Sequence, residues 1–224
     1  DHPEEFLAKL DALESQETKV FNSAAQVRWN IDKHYLIDLE TKGARIIPTL
    51  WPDNPNRTEV EAALDHFACD KVVVKRQTGG GAEGQHIFAR DALPDAGWQM
   101  GHKAMIQPFL PSIQSEGELS LLFIDGAYSH AALKTAADGD YRIQSLYGGQ
   151  EQVANPSEAD IAVGYAVIDA IPYETPLYAR IDLVRDNDGA LAVMEAEIIE
   201  PFLYPVQGPE LGERMAKAIA ARLR

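Results

Sequence analysis

Two stretches of the chain hold residue types whose spacing could do chemistry. The first, residues 71–88, reads KVVVKRQTGGGAEGQHIF: three valines run into Lys75, then a loop carries Gly79, Gly80, Gly81 and Gly84. Gly79-x-Gly81-x-x-Gly84 is literally a GxGxxG, but a dinucleotide fingerprint must lead from a strand into a helix. Here the glycines are followed by His86-Ile87-Phe88, and Asp91, Pro94 and Gly97 soon interrupt. A Walker A loop fits no better, because its lysine follows the last glycine and Lys75 precedes the first. The stretch reads as a strand, a lysine and a glycine hairpin folding back. Backbone N–H groups of such a flap can close over phosphates, with the lysine as a point charge. The bland alternative is a surface hairpin beside a solvated lysine.

The second stretch, residues 178–200, reads YARIDLVRDNDGALAVMEAEIIE and turns at Asn187-Asp188-Gly189. Asp182 lies on one arm; Glu195 and Glu197 lie on the other and, as i and i+2 of a strand, share a face. The turn brings them roughly opposite Asp182, among the apolar Ile181, Leu183, Val193 and Ala196. Facing carboxylates repel by about 4 kcal/mol per pair at 4 Å and an effective dielectric of 20. Protonation or a hard divalent cation can offset this. Three carboxylates without histidine or thiol select Mg²⁺ or Mn²⁺ over zinc. The alternative is an exposed acidic face. A phosphate flap with a lysine, plus carboxylates for a metal, is minimum equipment for nucleotide phosphate chemistry.

The 224 residues allow one large or two small domains. A net charge of −15 argues against nucleic acid or an anionic membrane as partner, though not against a phosphate ligand held by local cations. No apolar run is long enough to span a membrane. The lone cysteine, Cys69, forms no internal disulfide and reads as a small core residue. None of the six histidines has metal-ligand spacing, and no Ser-His-Asp or Cys-His arrangement suggests a protein nucleophile.

The elements that must position these residues follow from pattern. Pro3-Glu4-Glu5 opens a helix with Phe6, Leu7, Leu10 and Leu13 on one stripe. Residues 19–22 form a short strand, and Asn22-Ser23 caps a helix to about Lys42, stopped by Gly43. Along it Val27, Ile31, Tyr35 and Leu39 step by four, and Lys33 lies off that stripe. Residues 44–50 make an edge strand containing a proline. Thr58 caps a helix to about Phe67, and residues 104–107 form a strand ended by Pro108. Residues 118–129 alternate about Asp125-Gly126, a hairpin signal. Residues 140–147 are extended, Ser157 caps a helix to about Ile171, and residues 177–185 and 191–199 pair across the second turn. A last helix follows Pro209, with Leu211, Met215, Ile219 and Leu223 on one face. Hairpins flanked by helices make the class α+β. Lys134 reads equally as a pocket lysine or a solvent lysine.

The order of these parts resembles the ATP-grasp superfamily of carboxylate–amine ligase-like enzymes, from about residue 22 to the C-terminus. Asn30-Ile31-Asp32-Lys33 resembles that family's N-x-x-K, and Lys75 its second nucleotide lysine. Met105-Ile106-Gln107-Pro108-Phe109-Leu110 resembles the hinge that hydrogen-bonds adenine, and Glu118 the carboxylate on the ribose. Gly139-Asp140-Tyr141-Arg142 through Gly148-Gly149 is similar to the G-D/E-F-R…G-G segment of ribosomal-protein glutamate ligases and bacterial glutathione synthetases. Arg180-Ile181-Asp182 resembles their R-V-D, and Glu195-Ala196-Glu197 the metal motif E-x-N. Arg28-Trp29-Asn30, residues 120–126 and Ile199-Glu200-Pro201 look like the cycloserine-forming O-ureido-serine cyclo-ligases.

This resemblance implies an ATP-grasp fold, two α+β subdomains gripping the nucleotide. Its boundaries would be residues 1–22 as the end of an N-terminal α/β domain, 23–103 as the subdomain with the glycine lid, and 104–224 as the subdomain with the metal site. ATP would be bound by Lys33, Lys75, Gly79, Gly80, Gly81, Gly84, Gln107, Phe109, Leu110 and Glu118. Asp182, Glu195 and Glu197 would hold Mg²⁺ or Mn²⁺, and Arg142 and Arg180 would be catalytic. The implied activity is ATP-dependent ligation of small-molecule carboxylate and amine substrates, in the cytoplasm, with self-association left open. The alternatives are a nucleotide-binding module without ligase chemistry, and a kinase. Glu197 in place of asparagine departs from the family pattern and adds a charge to the metal site.

Overall fold

The computed structural model describes residues 3–16, 18–80, 84–136 and 148–224. In chain order its elements are α1 (Pro3–Glu14), α2 (Ala24–Asn30), α3 (Tyr35–Thr41), α4 (Arg57–His66), β1 (Lys71–Arg76), β2 (His86–Ala89), β3 (Ala104–Pro108), α5 (Ser112–Ser115), β4 (Glu118–Ile124), β5 (Ala127–Thr135), β6 (Gln150–Val153), α6 (Glu158–Ala170), β7 (Tyr178–Arg185), β8 (Leu191–Glu197) and α7 (Leu211–Arg222). The chain divides into two compact units, one of residues 46–111 and one of residues 1–45 with 112–224. These limits differ from the expected boundaries at 22/23 and 103/104. The reason is that α2 and α3 are bonded to the last strand of the second sheet, as described below.

The smaller unit is an antiparallel sheet in the order β2-β1-β3, with α4 on one face. Val72 and Val74 of β1 pack with Val60, Ala63 and Leu64 of α4 and with Ile106 of β3. Alternation then puts Val73 and Lys75 on the opposite face, together with their partners Gln107 and Met105. The glycine loop does join two antiparallel strands, since Val74 pairs with His86. Gly79 and Gly84 have φ of 127° and 67°, a region side chains rarely enter. Gly81 lies outside the described residues. The N-cap of α4 is Asn56, not Thr58: Asn56 and Glu59 form a reciprocal capping box. The expected edge strand at 44–50 does not form; single bridge positions remain at Ile46 and Leu50, the latter paired with Ile106.

The larger unit is a five-stranded antiparallel sheet in the order β6-β5-β4-β7-β8. β6, unanticipated from sequence, pairs with β5 from Ala132↔Val153 to Thr135↔Gln150. One sheet face is apolar: Leu121, Phe123, Ile181, Leu183 and Val193 are buried. α6, capped by Ser157 and Asp160, packs there closely enough that a methyl at Gly164 would stand 2.7 Å from Phe123 and 2.8 Å from Leu121. α7 lays Leu211, Met215 and Ile219 on a cluster with Ile124 and Leu177, whereas Leu223 is exposed. α1 forms as expected, yet buries none of its residues. Arg28–Asp11 at 2.9 Å and the bond from the Ala24 amide to Glu14 tie it to α2.

Two corrections concern the segment before the site. Residues 19–22 are not a strand, because Asn22 turns the chain at φ 58°. Its side chain donates to the Tyr178 and Ile198 carbonyls and accepts from the Leu177 amide, which offsets the strained backbone. The single helix expected over 23–42 is two, broken at residues 31–34. Asn30 ends the first by donating to the Ala196 carbonyl at 2.7 Å and accepting from the Ile198 amide. The Tyr35 hydroxyl, at the start of the second, accepts from the Ala196 amide. β8 is an edge strand, and these side chains satisfy backbone groups that an edge leaves unpaired.

Candidate active site

The second face of the larger sheet carries charge. β4 contributes Glu118 and Ser120, β5 Lys134, β7 Arg180 and Asp182, and β8 Glu195 and Glu197. Their common face depends on two β-bulges. Counting back from the Asp125-Gly126 turn would pair Glu118 with Leu133. Instead the register shifts between Leu122 and Phe123, leaving Ser129 as the extra residue and setting Lys134 opposite Glu118. Counting from the second turn would likewise pair Asp182 with Met194. A shift between Asp182 and Leu183 makes Met194 the extra residue, so Glu195 opposes Asp182 and Glu197 opposes Arg180. Because a one-residue slip moves side chains to the other face, each bulge transfers its charged residues from the apolar face to this one.

Asp182 is 2% exposed and sits at the centre. It accepts from the Ser120 hydroxyl at 2.5 Å and from Arg180 Nε at 3.1 Å, and Lys134 Nζ lies 3.3 Å away. Burial alone would raise its pKa, but Arg180 and Lys134 outweigh burial and hold it well below the usual carboxylate range. Lys134 also pairs with Glu118. Burial pulls the ammonium down, yet Asp182 and Glu118 overcome that and raise its pKa. Of the two readings of Lys134, the solvent lysine is therefore overturned: the side chain is buried on the charged face. Gly117 permits the pairing: at φ 86° a side chain there would stand 2.3 Å from the Lys134 carbonyl oxygen.

Arg180 bridges acids. It lies 3.0 Å from Asp182 and 2.6 Å from Glu197, donates to the Phe202 carbonyl, and stacks 5.8 Å from the Tyr204 ring centre. Lys33, following the Asn30 clamp, reaches Glu195 at 3.0 Å. Among the described residues, four carboxylates thus meet three cations. Accordingly Glu118 is raised to about 7, by burial first and then by Asp182 against the pull of Lys134. Glu197 is raised to about 8, by burial and by Glu195.

The expected acidic repulsion is therefore mostly neutralised by the protein's own cations. Among the described residues, no group of three or more His, Cys, Asp or Glu side chains is placed to hold a metal ion. The donor chemistry nonetheless fits a hard divalent ion. Glu195 and Glu197 are oxygen donors on one face and retain solvent access. Asp182 faces Glu195 in register, with its oxygens already accepting from Ser120 and Arg180.

Apart from Arg142, the remaining expected residues belong to the segment 46–111 of the smaller unit. Lys75 shares a sheet face with Gln107. Gln107 is buried and donates to the Thr49 hydroxyl, the Phe109 amide donates to the Lys71 carbonyl, and Leu110 is buried. Gly80 has open space where a side chain would stand. Arg142, with the whole Gly139-Asp140-Tyr141-Arg142 segment, lies outside the described residues.

The chain belongs to the ATP-grasp ligases, enzymes that use ATP to join a carboxylate to an amine. Its kinship within them is with the cycloserine biosynthesis protein DcsG of Streptomyces lavendulae. The two are 31% identical over 236 residues, which cover 98% of this chain and 78% of that protein. The crystal structure of D-cycloserine synthetase DcsG matches with a TM-score of 0.80 at 30% identity, over 98% of this chain and 79% of that one. The fold also matches a D-alanine–D-alanine ligase from Bacillus anthracis, with a TM-score of 0.69 at 17% identity, covering 95% and 73% of the two chains. The ATP-grasp ligase PsnB, in a complex with Mg and ADP, gives a TM-score of 0.69 at 17% identity, covering 96% and 66%. No protein-family profile matches the chain.

Proposed function

We propose that the enzyme activates a small-molecule carboxylate with Mg·ATP and closes a ring by attack of a nitrogen in the same molecule. A substrate carboxylate oxygen bonds to the γ-phosphorus as the bond to ADP breaks, giving an acyl-phosphate. The nitrogen then attacks the acyl carbon, inorganic phosphate leaves, and the nitrogen loses a proton. Kinship with a D-cycloserine synthetase supports the intramolecular version.

The observation that carries this reading is the buried cation pair Arg180 and Lys134, held on one sheet face by Asp182. Preorganised cations in a low-dielectric site stabilise charge that develops on phosphoryl and acyl oxygens. In the proposal Arg180 serves the tetrahedral oxyanion, joined by Arg142, and Lys33 and Lys75 neutralise nucleotide phosphates. The loop with Gly79, Gly80, Gly81 and Gly84 covers the phosphates and excludes water. Met105 to Leu110 holds the adenine and Glu118 the ribose. Glu195 and Glu197, with Asp182, would hold Mg²⁺, which supplies Lewis-acid neutralisation of phosphate charge when bound. A need for ATP is consistent with a cytoplasmic enzyme.

The test is ADP release with a panel of amino acids bearing a side-chain nitrogen nucleophile, run with and without hydroxylamine. Substrate-dependent ADP release with a cyclic product, and hydroxamate when hydroxylamine is present, is expected. ADP release with neither hydroxamate nor ring closure would point to a hydroxyl acceptor and overturn the acyl-phosphate.

A further inference from the structure

Three strands put His130, Leu122 and Arg180 in one lateral row. His130 of β5 pairs with Leu122 of β4, and Leu122 pairs with Arg180 of β7. His130 reaches the charged face through the same bulge at Ser129 that places Lys134 there. It is buried, and it takes no part in the chemistry proposed above. Over Leu122 lies the segment that follows β8, with Tyr204 packed against Leu122 and Ala132. Resting on the reading that Arg180 serves the acyl-phosphate, we propose that His130 is a positioning residue for Arg180. Its imidazole pins Leu203, and so holds Phe202 and Tyr204, the residues on either side, against the guanidinium.

Three consecutive residues carry the coupling. The Phe202 carbonyl accepts from Arg180 at 3.3 Å, and the Tyr204 ring centre lies 5.8 Å from the guanidinium carbon. Between them, the Leu203 carbonyl lies 2.9 Å from His130 Nε2. A carbonyl can only accept, so Nε2 carries the proton. Burial lowers the His130 pKa and keeps the ring neutral. Nδ1 then accepts from the Ser129 hydroxyl, 2.9 Å away, which fixes the tautomer and the ring plane. Gly208 closes the other side: a side chain there would begin 2.3 Å from the imidazole, which fills that space instead. A clamp is needed because Tyr204 has a φ of 47°, a conformation that bulky residues avoid. Such strain persists only where the surroundings over-determine it. The Gln207 and Gly208 amides donate to the Tyr204 carbonyl, but these bonds are internal to the turn. Among the described residues, and apart from Arg180, two side-chain bonds tie residues 202–208 back to the sheet. They are His130 to Leu203 at 2.9 Å and Gln207 to the Glu151 carbonyl at 3.4 Å. Loss of the shorter one lets Tyr204 relax to negative φ, which draws its ring off Arg180 and opens that face to water. Asp182 still holds Arg180, so the cation stays while its donors lose their fixed plane. A small misplacement of this kind costs rate.

The experiment compares the whole chain as wild type, as His130→Met, which fills the space without a donor, and as His130→Gln, whose amide nitrogen can donate to the Leu203 carbonyl. Tyr204→Leu is the reference for a lost ring. Two-dimensional ¹H–¹⁵N spectra read the Arg180 Nε–H resonance, assigned through bonds, which the Tyr204 ring current shifts. His130→Met should move this resonance toward its position in Tyr204→Leu, and His130→Gln should return it toward wild type. ADP release with amino acids bearing a side-chain nitrogen, trapped with hydroxylamine, gives the second readout. There His130→Met should lower kcat about ten- to hundredfold with KM for ATP little changed, and His130→Gln should recover most of the loss. A Met variant that keeps the wild-type resonance overturns the inference, as does a shifted resonance with unchanged kcat, or a Gln variant that behaves as Met does. If the variants do not fold, the imidazole ¹⁵N spectrum of wild type decides. A slowly exchanging proton on Nε2 supports the clamp, and a proton on Nδ1 alone overturns it. Absence of ADP release from wild type with all of these amino acids would instead overturn the proposed activity, and the resonances would still decide the clamp.

Discussion

Asn30 donates to the Ala196 carbonyl and accepts from the Ile198 amide, so its side chain stitches the end of α2 to the edge of β8. Its short amide matches that strand edge in length and polarity, and alanine would leave both backbone groups buried and unpaired. Asn30→Ala should destabilise the protein by about 1–3 kcal/mol, read by urea denaturation, and should weaken nucleotide binding through the displaced Lys33. Unchanged stability would mean that the clamp is dispensable. Glu118 yields a pH dependence with a defined sign. Its folded-state pKa of about 7 exceeds the ordinary value of 4.5, so between these pH values the native state binds more protons than the unfolded state. Stability therefore falls as pH rises through that window. The stability of wild type relative to Glu118→Gln should decline from pH 5 to pH 7.5 in paired denaturation curves; a relative gain would contradict the assigned direction.

Strands and helices place these residues through packing on the sheet's opposite face. Leu121, Phe123, Ile181 and Leu183 anchor β4 and β7, and α6 seals them at Gly164. A methyl at Gly164 would come within 3 Å of Leu121 and Phe123, closer than real side chains pack. Gly164→Ala should cost about 1–3 kcal/mol as overpacking forces the helix or the two side chains to shift. Thermal unfolding measures this, and a neutral or stabilising effect would show that α6 docks less tightly than its geometry implies. The bulges at Ser129 and Met194 act at the same scale. Each adds one residue to one strand, and each thereby chooses which face receives the charges.

At the scale of the whole chain, a net charge of −15 surrounds a site proposed to bind a polyanion. Local cations and a metal must then overcome the general field. Ligand binding to the native state alone stabilises it by about 2.7 kcal/mol at one hundred times Kd, which corresponds to a Tm rise of roughly 5–10 °C for a chain of this size. A thermal-shift assay with ADP and MgCl₂ should show a rise of that order, and a much smaller one with either alone. Identical shifts for ADP with and without Mg²⁺ would count against joint binding.

Much of this protein was legible before folding was considered. The α+β class, both hairpins, the Ser157 cap and the glycine loop after Lys75 follow from local rules of turn chemistry, capping and alternation. The group Asp182, Glu195 and Glu197 was visible for the same reason, because a single turn brings its members near one another. What lies beyond such rules depends on contacts distant in sequence. The break between α2 and α3 comes from Asn30 and Tyr35 finding the backbone of β8 more than 160 residues on. A bulge has no reliable local signature, so a count from each turn would give a register one residue out. Lys134 was ambiguous for that reason: its neighbours in sequence permit a solvent lysine, and only the shifted register turns it toward Glu118 and Asp182. The sign of the site followed the same path. Three acids on two facing strands suggested protonation or a metal, whereas folding gathers Lys33, Lys134 and Arg180 among them, because burying uncompensated carboxylates would be far more costly.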